Sequence, residues 1–221
     1  MSIKLVAFDL DGTLVDSASD IARAVDLALE SLGQRSYGVA QVQGWVGEGL
    51  TRLLKRALTG SMDGEPDPEL LERARSEFRR FYSEGICIDS TLYPGALEAL
   101  DALGGRYALA CITNKSAEYT GPLLQALGVR GRFAVVVSGD TVGVLKPDPR
   151  PLLHAAEACA AEPAACCMVG DSRIDMQAAR AAGFRAVGVS YGYHQGADLK
   201  ALGAEVLLDS LAELPAWLAS A

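Results

Sequence analysis

The chain has 221 residues, of which 50% are hydrophobic, and this length suits one domain with a sizeable insertion or two small domains. Its formal net charge of −8 argues against a general binder of nucleic acid or of anionic membranes, because either would gain affinity from a positive surface. No signal pattern precedes the first predicted strand and no apolar stretch approaches the ~18 residues of a membrane span, so we expect a cytoplasmic protein.

The first predicted element is a buried strand over residues 3–8, which leads directly into two aspartates, Asp9 and Asp11. Because side chains alternate along a strand, both carboxylates project to the same side. Two like charges this close resist joint ionisation, so either one of them holds a proton more readily or a cation lies between them. The alternative is an ordinary turn at Asp11 and Gly12 with Asp9 capping it.

A block of helices follows the first strand. The first of these helices is predicted to be capped by Asp16 or Ser17. Further helical stretches without an intervening strand are predicted at residues 39–47, 50–59 and 67–84. We therefore expect residues 17–90 to form an inserted helical cap, joined to the rest of the chain by hinges near residues 14–18 and 86–93.

Beyond residue 94, helices and strands alternate. Helices are predicted at 95–103, 117–127, 149–160 and 173–182, and strands at 107–112, 133–137, 166–169, 185–189 and 205–208, before a last helix. This rhythm predicts an α/β fold with a parallel sheet and helices on both faces, built from residues 1–16 and 91–221.

Polar residues cluster where the predicted strands end, which is where parallel sheets bind ligands. They are Asp9, Asp11, Thr113, Asn114, Lys146, Asp171, Ser172 and Asp175. Taken singly, several of them also fit helix caps, and Lys146 fits a solvated surface lysine. Their joint placement at one edge of the sheet indicates a binding site, while Ser138 and Ser172 remain possible turn or cap residues.

Histidine and cysteine give no indication of a zinc site. His154 and His194 stand outside any metal-binding pattern, and we expect both on the surface or in helices. The five cysteines lack metal spacing and indicate reduced thiols in a cytosolic protein.

Together these motifs resemble those of the haloacid dehalogenase superfamily of phosphotransferases over nearly the whole chain. In chain order they are Asp9-x-Asp11-Gly12-Thr13, then Thr113, then Lys146, and last Asp171 with Asp175. The resemblance implies a Rossmann-like core, and it identifies the helical insertion as a small cap placed after the first motif.

The same resemblance implies a role for each motif residue. Asp9 would be the nucleophile that forms an aspartyl-phosphate, and Asp11 the general acid and base. Asp9, the Asp11 carbonyl and Asp171 would hold Mg²⁺, with Asp175 supporting the ion through water. The residues expected to bind the phosphoryl group are Gly12, Thr13, Thr113, Asn114 and Lys146.

Two stretches, VQGWVGEGLTRLLKRAL at 42–58 and TLYPGALEAL at 91–100, resemble the bacterial phosphoglycolate phosphatases. The implied reaction converts 2-phosphoglycolate and water to glycolate and phosphate, so the expected partner is a small phosphate ester. Gly47 and Gly49 would let backbone amides approach the substrate carboxylate. The alternative is a plain turn between helices in which Trp45 only packs.

One cap residue departs from this pattern, because many relatives have asparagine where this chain has Glu48. A carboxylate facing an anionic substrate is unfavourable unless it points away or pairs with Arg52. Arg52, Lys55 and Arg56 offer positive charge, although a solvated helix face would explain most of them. We predict that Arg52 is the first of them to assist binding.

Other activities remain open at this point. A phosphosugar mutase of the β-phosphoglucomutase type uses the same acids, and a phosphatase for another small ester or for pyrophosphate is also compatible. Retention of Asp9, Asp11, Lys146 and Asp171 argues against a non-catalytic phospho-sensor, and the long insertion argues against a receiver domain. Asp11 disfavours dehalogenases and phosphonate hydrolases, whose leaving groups need no such acid. The sequence leaves the choice between monomer and homodimer open.

Overall fold

A computed structural model describes residues 2–193 and 196–220, so His194 lies outside the described residues while His154 is exposed on a helix, as predicted. The strands are β1 (Leu5–Phe8), β2 (Val15–Asp16), β3 (Thr91–Leu92), β4 (Ala108–Ile112), β5 (Val135–Val137), β6 (Cys166–Gly170), β7 (Arg185–Val189) and β8 (Val206–Leu208). The helices are α1 (Ala18–Ser31), α2 (Val39–Gln43), α3 (Leu50–Thr59), α4 (Pro68–Glu84), α5 (Ala96–Leu103), α6 (Ala117–Ala126), α7 (Arg150–Ala158), α8 (Arg173–Ala182) and α9 (Leu214–Ser220).

Six strands form one parallel sheet in the order β5-β4-β1-β6-β7-β8, which confirms the predicted α/β class. The strand sequences are nearly continuous apolar runs because helices cover both faces. Val6 and Phe8 join the apolar cluster on one face, while Leu5 and Ala7 join the cluster on the other. Strand β1 lies between β4 and β6, so the later strands are added on both sides of it, and ligands bind at such a switch point.

Helices α1–α4, here called the helical segment, lie between β2 and β3 and share an apolar cluster of their own. Helices α3 and α4 match the predicted ranges to within a residue. Helix α4 begins at Pro68, where the Asp67 side chain accepts a hydrogen bond from the Leu70 amide at 2.9 Å. Helix α2 is shorter than predicted, since it ends at Gln43, and the chain then turns through Gly47 and Gly49, which have positive φ.

A two-stranded ladder was not predicted from the sequence. Val15 pairs with Leu92 and Asp16 with Thr91 in antiparallel register. The ladder stands where the chain enters and leaves the helical segment, within the two predicted hinges. Each strand has only two residues, which is too short to show an alternating pattern.

The predicted side-chain cap of α1 is wrong. Neither Asp16 nor Ser17 caps the helix, because the Ser17 hydroxyl instead donates to Asp11 Oδ1 at 2.5 Å. The Tyr193 hydroxyl accepts hydrogen bonds from the Ser17 and Ala18 amides at 2.9 and 3.0 Å. It donates in turn to Asp16 Oδ1 at 2.8 Å. Tyr193, which is distant in sequence, thus provides the acceptor that an N-cap side chain usually provides.

None of the helices in the described ranges combines the length and the apolar character needed to cross a membrane.

Candidate active site

The loops after β1, β4 and β6 meet at one edge of the sheet and face the helical segment. A cavity between them, here called the central cavity, has a sheet-edge wall and a helical wall. Lining it are Asp9, Asp11, Thr113, Asn114, Lys115, Ser116 and Tyr119, and opposite them Ile21, Val46, Gly47, Gly49, Leu50, Leu53, Phe78 and Tyr82. Four of the eight strand-end residues predicted from the sequence therefore line this cavity, namely Asp9, Asp11, Thr113 and Asn114.

Three buried carboxylates, those of Asp9, Asp171 and Asp175, each contribute an oxygen to a group whose members lie within 4.8 Å of one another. Burial raises the pKa of Asp9 well above its usual range, against the opposing charge of Lys146 and with the charges of Asp175 and Asp171 adding to the rise. Burial and the Asp175 charge raise the pKa of Asp171 to about 7. Burial is the main cause of both pKa shifts, and repulsion between the neighbouring carboxylates adds to it.

Lys146 provides the cation inside this cluster. Its Nζ lies 2.9 Å from Asp9 Oδ1 and 2.7 Å from Asp175 Oδ1, and it donates to the Ile112 carbonyl at 2.7 Å. Burial alone would lower the pKa of Lys146, but the charges of Asp175 and Asp9 outweigh it and raise the pKa above its usual value. The sequence-based alternative of a solvated surface lysine is wrong, because Lys146 is fully enclosed by the site.

The cluster fits a divalent cation. Three carboxylates face one ammonium, and the remaining negative charge in a buried site favours a bound cation. Carboxylate oxygens are the ligands that hard cations such as Mg²⁺ prefer. The arrangement of Asp9 and Asp171 is therefore suited to metal binding.

Asp175 is held by the start of α8. Its Oδ2 accepts hydrogen bonds from the Ser172 amide at 3.1 Å and from the Ser172 hydroxyl at 2.5 Å, forming a capping box. This bond directs Oδ1 toward Lys146. The interpretation of Ser172 as a cap residue is confirmed, and Ser138 lies in a turn closed by Thr141.

Gly12 and Thr13 position Asp171 in this structure. The Thr13 hydroxyl donates to Asp171 Oδ1 at 2.7 Å. Gly12 has a φ of +89°, and a β-carbon there would lie 2.5 Å from Asp171 Oδ2, so only glycine allows this approach. Neither residue lines the central cavity, and the Thr13 hydroxyl is bound to a carboxylate, so their expected contact with a phosphoryl group stays a prediction.

Asn114 links the sheet edge to the helical segment. Its amide nitrogen donates to the carbonyl oxygens of Gly47 and Lys146, both at 3.0 Å, while its Oδ1 accepts from the Lys146 amide at 2.8 Å. An asparagine has only two side-chain hydrogens, and both are used here. The expected contact of this side chain with the phosphoryl group stays a prediction, and both Asn114 and Thr113 stand in the cavity wall.

Lys115 is a further charged residue of the cavity that was not predicted from the sequence. Its Nζ lies 3.0 Å from both carboxylate oxygens of Asp11. Burial alone would lower the pKa of Lys115, but the Asp11 charge outweighs it and raises the pKa. The sequence did offer a signal for it. Lys115 stands two residues after Thr113, and so short a separation keeps both residues at the same edge of the sheet.

Gly47 and Gly49 lie in the cavity wall with φ values of +120° and +85°, and Gly49 immediately precedes α3. Between them, Glu48 points away from the central cavity. It forms an ion pair with Arg56 and a longer contact to Arg52, whose Nε lies 3.9 Å from Glu48 Oε2. Glu48 therefore does not direct its carboxylate at an anionic substrate, as was expected if this residue is to be tolerated.

One of the three basic residues of α3 differs from the expected solvated face. Arg56 is buried rather than solvated, since it also donates to the Trp45 carbonyl at 3.0 Å. Lys55 pairs with Glu65 at 2.5 Å. The hypothesis that Arg52 assists binding is not favoured by its position, because it is exposed on the helix and does not line the central cavity.

The chain matches the family model of haloacid dehalogenase-like hydrolases over residues 3–183. A phosphoglycolate phosphatase of Nitrosospira multiformis is 45% identical over 214 residues, which cover 96% of this chain and 94% of that protein. A phosphoglycolate phosphatase of Nitrosococcus oceani is 42% identical over 219 residues, which cover 99% and 97% of the two chains.

A similar structure is the crystal structure of a predicted phosphoglycolate phosphatase from Haemophilus somnus. It superposes with a TM-score of 0.89 at 30% identity and covers 97% of each chain. These relatives confirm the expectation of a phosphatase and, with the family match, the predicted superfamily. The chain belongs to the haloacid dehalogenase-like hydrolase family.

Proposed function

We propose that the protein hydrolyses 2-phosphoglycolate to glycolate and phosphate. The observation that carries this proposal is the similarity to proteins named phosphoglycolate phosphatase, which extends over nearly the whole chain. That similarity includes the helical segment, whose residues form one wall of the central cavity. We therefore expect the substrate to contact the motif residues at the sheet edge on one side and the helical segment on the other.

Asp9 is the proposed nucleophile. Its Oδ attacks phosphorus, the bond from phosphorus to the ester oxygen breaks, and Asp11 supplies the proton that the departing glycolate oxygen takes up. Water then attacks the aspartyl-phosphate, Asp11 accepts the proton, and the bond from phosphorus to Asp9 breaks to release phosphate. Asp9 and Asp11 both line the central cavity, which supports these two roles.

The proposed cofactor is Mg²⁺, and hydrolases of this family generally use a divalent metal. Asp9, Asp171 and the Asp11 carbonyl would hold the ion, with Asp175 supporting it through water. When bound, it would supply positive charge to the phosphoryl oxygens. Lys146 would hold Asp9 in place beside it, as its 2.9 Å contact in this structure supports.

We also propose that residues 17–90 act as a cap domain on a core of residues 1–16 and 91–221. The ladder of β2 and β3 lies at both crossings between these parts, which supports its role as the hinge. Asn114 donates across the gap to the Gly47 carbonyl at 3.0 Å, so it would hold the cap closed over the bound ester. Closure would keep bulk water from the reacting phosphoryl group.

The test is Mg²⁺-dependent phosphate release across a panel of 2-phosphoglycolate, hexose phosphates, nucleoside monophosphates and pyrophosphate. The proposal predicts the highest kcat/KM for 2-phosphoglycolate. A higher value for another ester would contradict the substrate while leaving the phosphatase class intact. Slow phosphate release that needs a sugar bisphosphate as activator would instead identify a mutase.

A further inference from the structure

Two polar side chains from opposite walls meet in the central cavity. Lys115 follows β4 on the sheet-edge side, and Tyr82 comes from α4 in the helical segment. The Lys115 Nζ lies 5.0 Å from the centre of the Tyr82 ring. Neither residue belongs to the motifs identified in the sequence, and neither has a role in the proposed reaction.

The Tyr82 hydroxyl is buried, with the residue only 1% exposed, and it forms no hydrogen bond of normal geometry within the described part of the chain, although it interacts with the Lys115 ammonium. Buried polar groups nearly always form a hydrogen bond of normal geometry, so a hydroxyl without one in a cavity wall points to a group that is supplied on binding. Burial raises the pKa of Tyr82 to about 12, with the Lys115 charge opposing the rise. The hydroxyl is therefore a neutral donor at physiological pH.

Lys115 is the ammonium that faces this hydroxyl. It has three hydrogens, it contacts both Asp11 oxygens at 3.0 Å, and it also interacts with the Tyr82 hydroxyl. Asp9, Asp11 and Lys115 are the charged residues lining the cavity, so Lys115 is the one cation among the described lining residues. The start of α3 at Gly49 and Leu50 adds partial positive charge to the same cavity.

We propose that Lys115 and Tyr82 form the subsite that binds the carboxylate of the substrate. This inference rests on the proposed function, since 2-phosphoglycolate carries a carboxylate one carbon from its ester oxygen. An ammonium and a phenolic hydroxyl are complementary to a carboxylate, and a charge-assisted bond to either is strong in a buried site. The substrate carboxylate would contact the sheet-edge wall and the helical wall at once. Its binding would therefore favour the state in which the helical segment is closed over the sheet edge.

The rest of the cavity explains why the subsite would select a small acid. Its remaining walls include the apolar side chains of Ile21, Leu53 and Phe78. These side chains offer no partner for further hydroxyl groups, such as those of a sugar phosphate. Selection for a carboxylate would therefore depend on Lys115 and Tyr82.

The experiment compares kcat/KM for 2-phosphoglycolate with that for 2-hydroxyethyl phosphate, in which a neutral alcohol replaces the carboxylate. The ratio of the two values is measured for the full-length Mg²⁺-loaded wild type, Tyr82→Phe, Lys115→Met and Tyr37→Phe. Tyr37 is a tyrosine of the helical segment outside the central cavity, so its variant controls for the loss of a phenol. Using a ratio removes any general effect of a variant on folding or on the chemical step.

The subsite predicts that the ratio falls about tenfold in Tyr82→Phe and about 100-fold in Lys115→Met, through a higher KM for 2-phosphoglycolate. Tyr37→Phe should keep the wild-type ratio. If the wild type prefers 2-phosphoglycolate and Tyr82→Phe and Lys115→Met keep that preference, the subsite is overturned and the proposed function stands. If the wild type cleaves other esters and not 2-phosphoglycolate, the proposed function and the subsite fail together.

Discussion

The Nζ of Lys146 lies 2.7 Å from Oδ1 of Asp175, and both side chains are buried. Asp175 is fixed by the capping box at the start of α8, while Lys146 reaches it from the loop that precedes α7. The same ammonium contacts Asp9 at the end of β1. A helix-capping carboxylate thus positions the lysine that holds the proposed nucleophile.

Replacing Lys146 with methionine should cost both stability and activity. The variant leaves Asp9 and Asp175 buried without their cation, and removing one partner of a buried ion pair costs about 3–5 kcal/mol. We expect that loss in the free energy of unfolding, measured by urea titration at pH 7, and a fall in kcat of at least about 100-fold.

Lys55→Met is the matched control, because the Lys55–Glu65 pair involves an exposed carboxylate. Such pairs contribute about 0–1 kcal/mol. Equal stability of the Lys146 and Lys55 variants would show that the buried ion pairs of Lys146 do not stabilise the fold more than an exposed pair does.

Asn114→Leu should weaken substrate binding. The substitution keeps the side-chain volume but removes the hydrogen bond to Gly47 and those to Lys146. The unpaired backbone groups cost about 1–3 kcal/mol, so we expect lower stability and a KM raised about tenfold. The exposed Gln125→Leu serves as the control for losing an amide. An unchanged KM in Asn114→Leu would argue against a link between the two walls.

Tyr193→Phe tests the unusual cap of α1. Losing the hydroxyl leaves the Ser17 and Ala18 amides without their acceptor, and loss of an N-cap costs about 1–2 kcal/mol. Thermal unfolding should show a lower Tm for Tyr193→Phe than for Tyr107→Phe, whose ring lies outside this contact. Equal Tm values would mean that the hydroxyl does not stabilise the helix.

Asp20 gives the fold a defined response to acid. Its carboxylate is buried and accepts hydrogen bonds from the Ser90 hydroxyl at 2.6 Å and from the Ser90 and Ile88 amides at 2.8 and 3.0 Å. Burial alone would raise the pKa of Asp20, but the Ser90 hydrogen bonds hold it below the ordinary 3.8. Its contribution to stability is therefore complete above about pH 4 and is lost as the pH falls through the lowered value.

Asp20→Asn should accordingly be less stable than the wild type by about 1–3 kcal/mol at pH 7 and by less at pH 3. Urea unfolding at the two pH values measures this difference, with the exposed Asp63→Asn as control. If the difference in unfolding free energy between the wild type and Asp20→Asn stays the same at pH 7 and pH 3, the ionised Asp20 carboxylate is not the source of that stability.

The sheet edge was predictable from the sequence because it depends on local signals. Apolar runs mark the strands, and parallel strands place their carboxyl ends together, so Asp9, Thr113 and Asp171 could be assigned to one site. Helices α3 and α4 were equally predictable, since Gly49 precedes the first and the capping Asp67 precedes the second.

What escaped prediction depends on contacts between distant parts of the chain. Tyr193 caps a helix that begins at residue 18, and nothing in its neighbouring sequence indicates this. From its sequence context Arg56 was expected to be solvated, but in the structure it is enclosed by Glu48 and the Trp45 carbonyl. The lack of a normal hydrogen bond at the Tyr82 hydroxyl is visible only once α4 is packed against the sheet edge.

The most direct test of the account is phosphate release from 2-phosphoglycolate, with Mg²⁺ present, by the wild type and by Asp9→Asn under identical conditions. We expect efficient turnover by the wild type and none above background by the variant, which keeps the shape of Asp9 but lacks a nucleophilic carboxylate. Turnover by Asp9→Asn at a rate close to that of the wild type would contradict Asp9 as the nucleophile, and a wild type that leaves 2-phosphoglycolate intact would contradict the substrate.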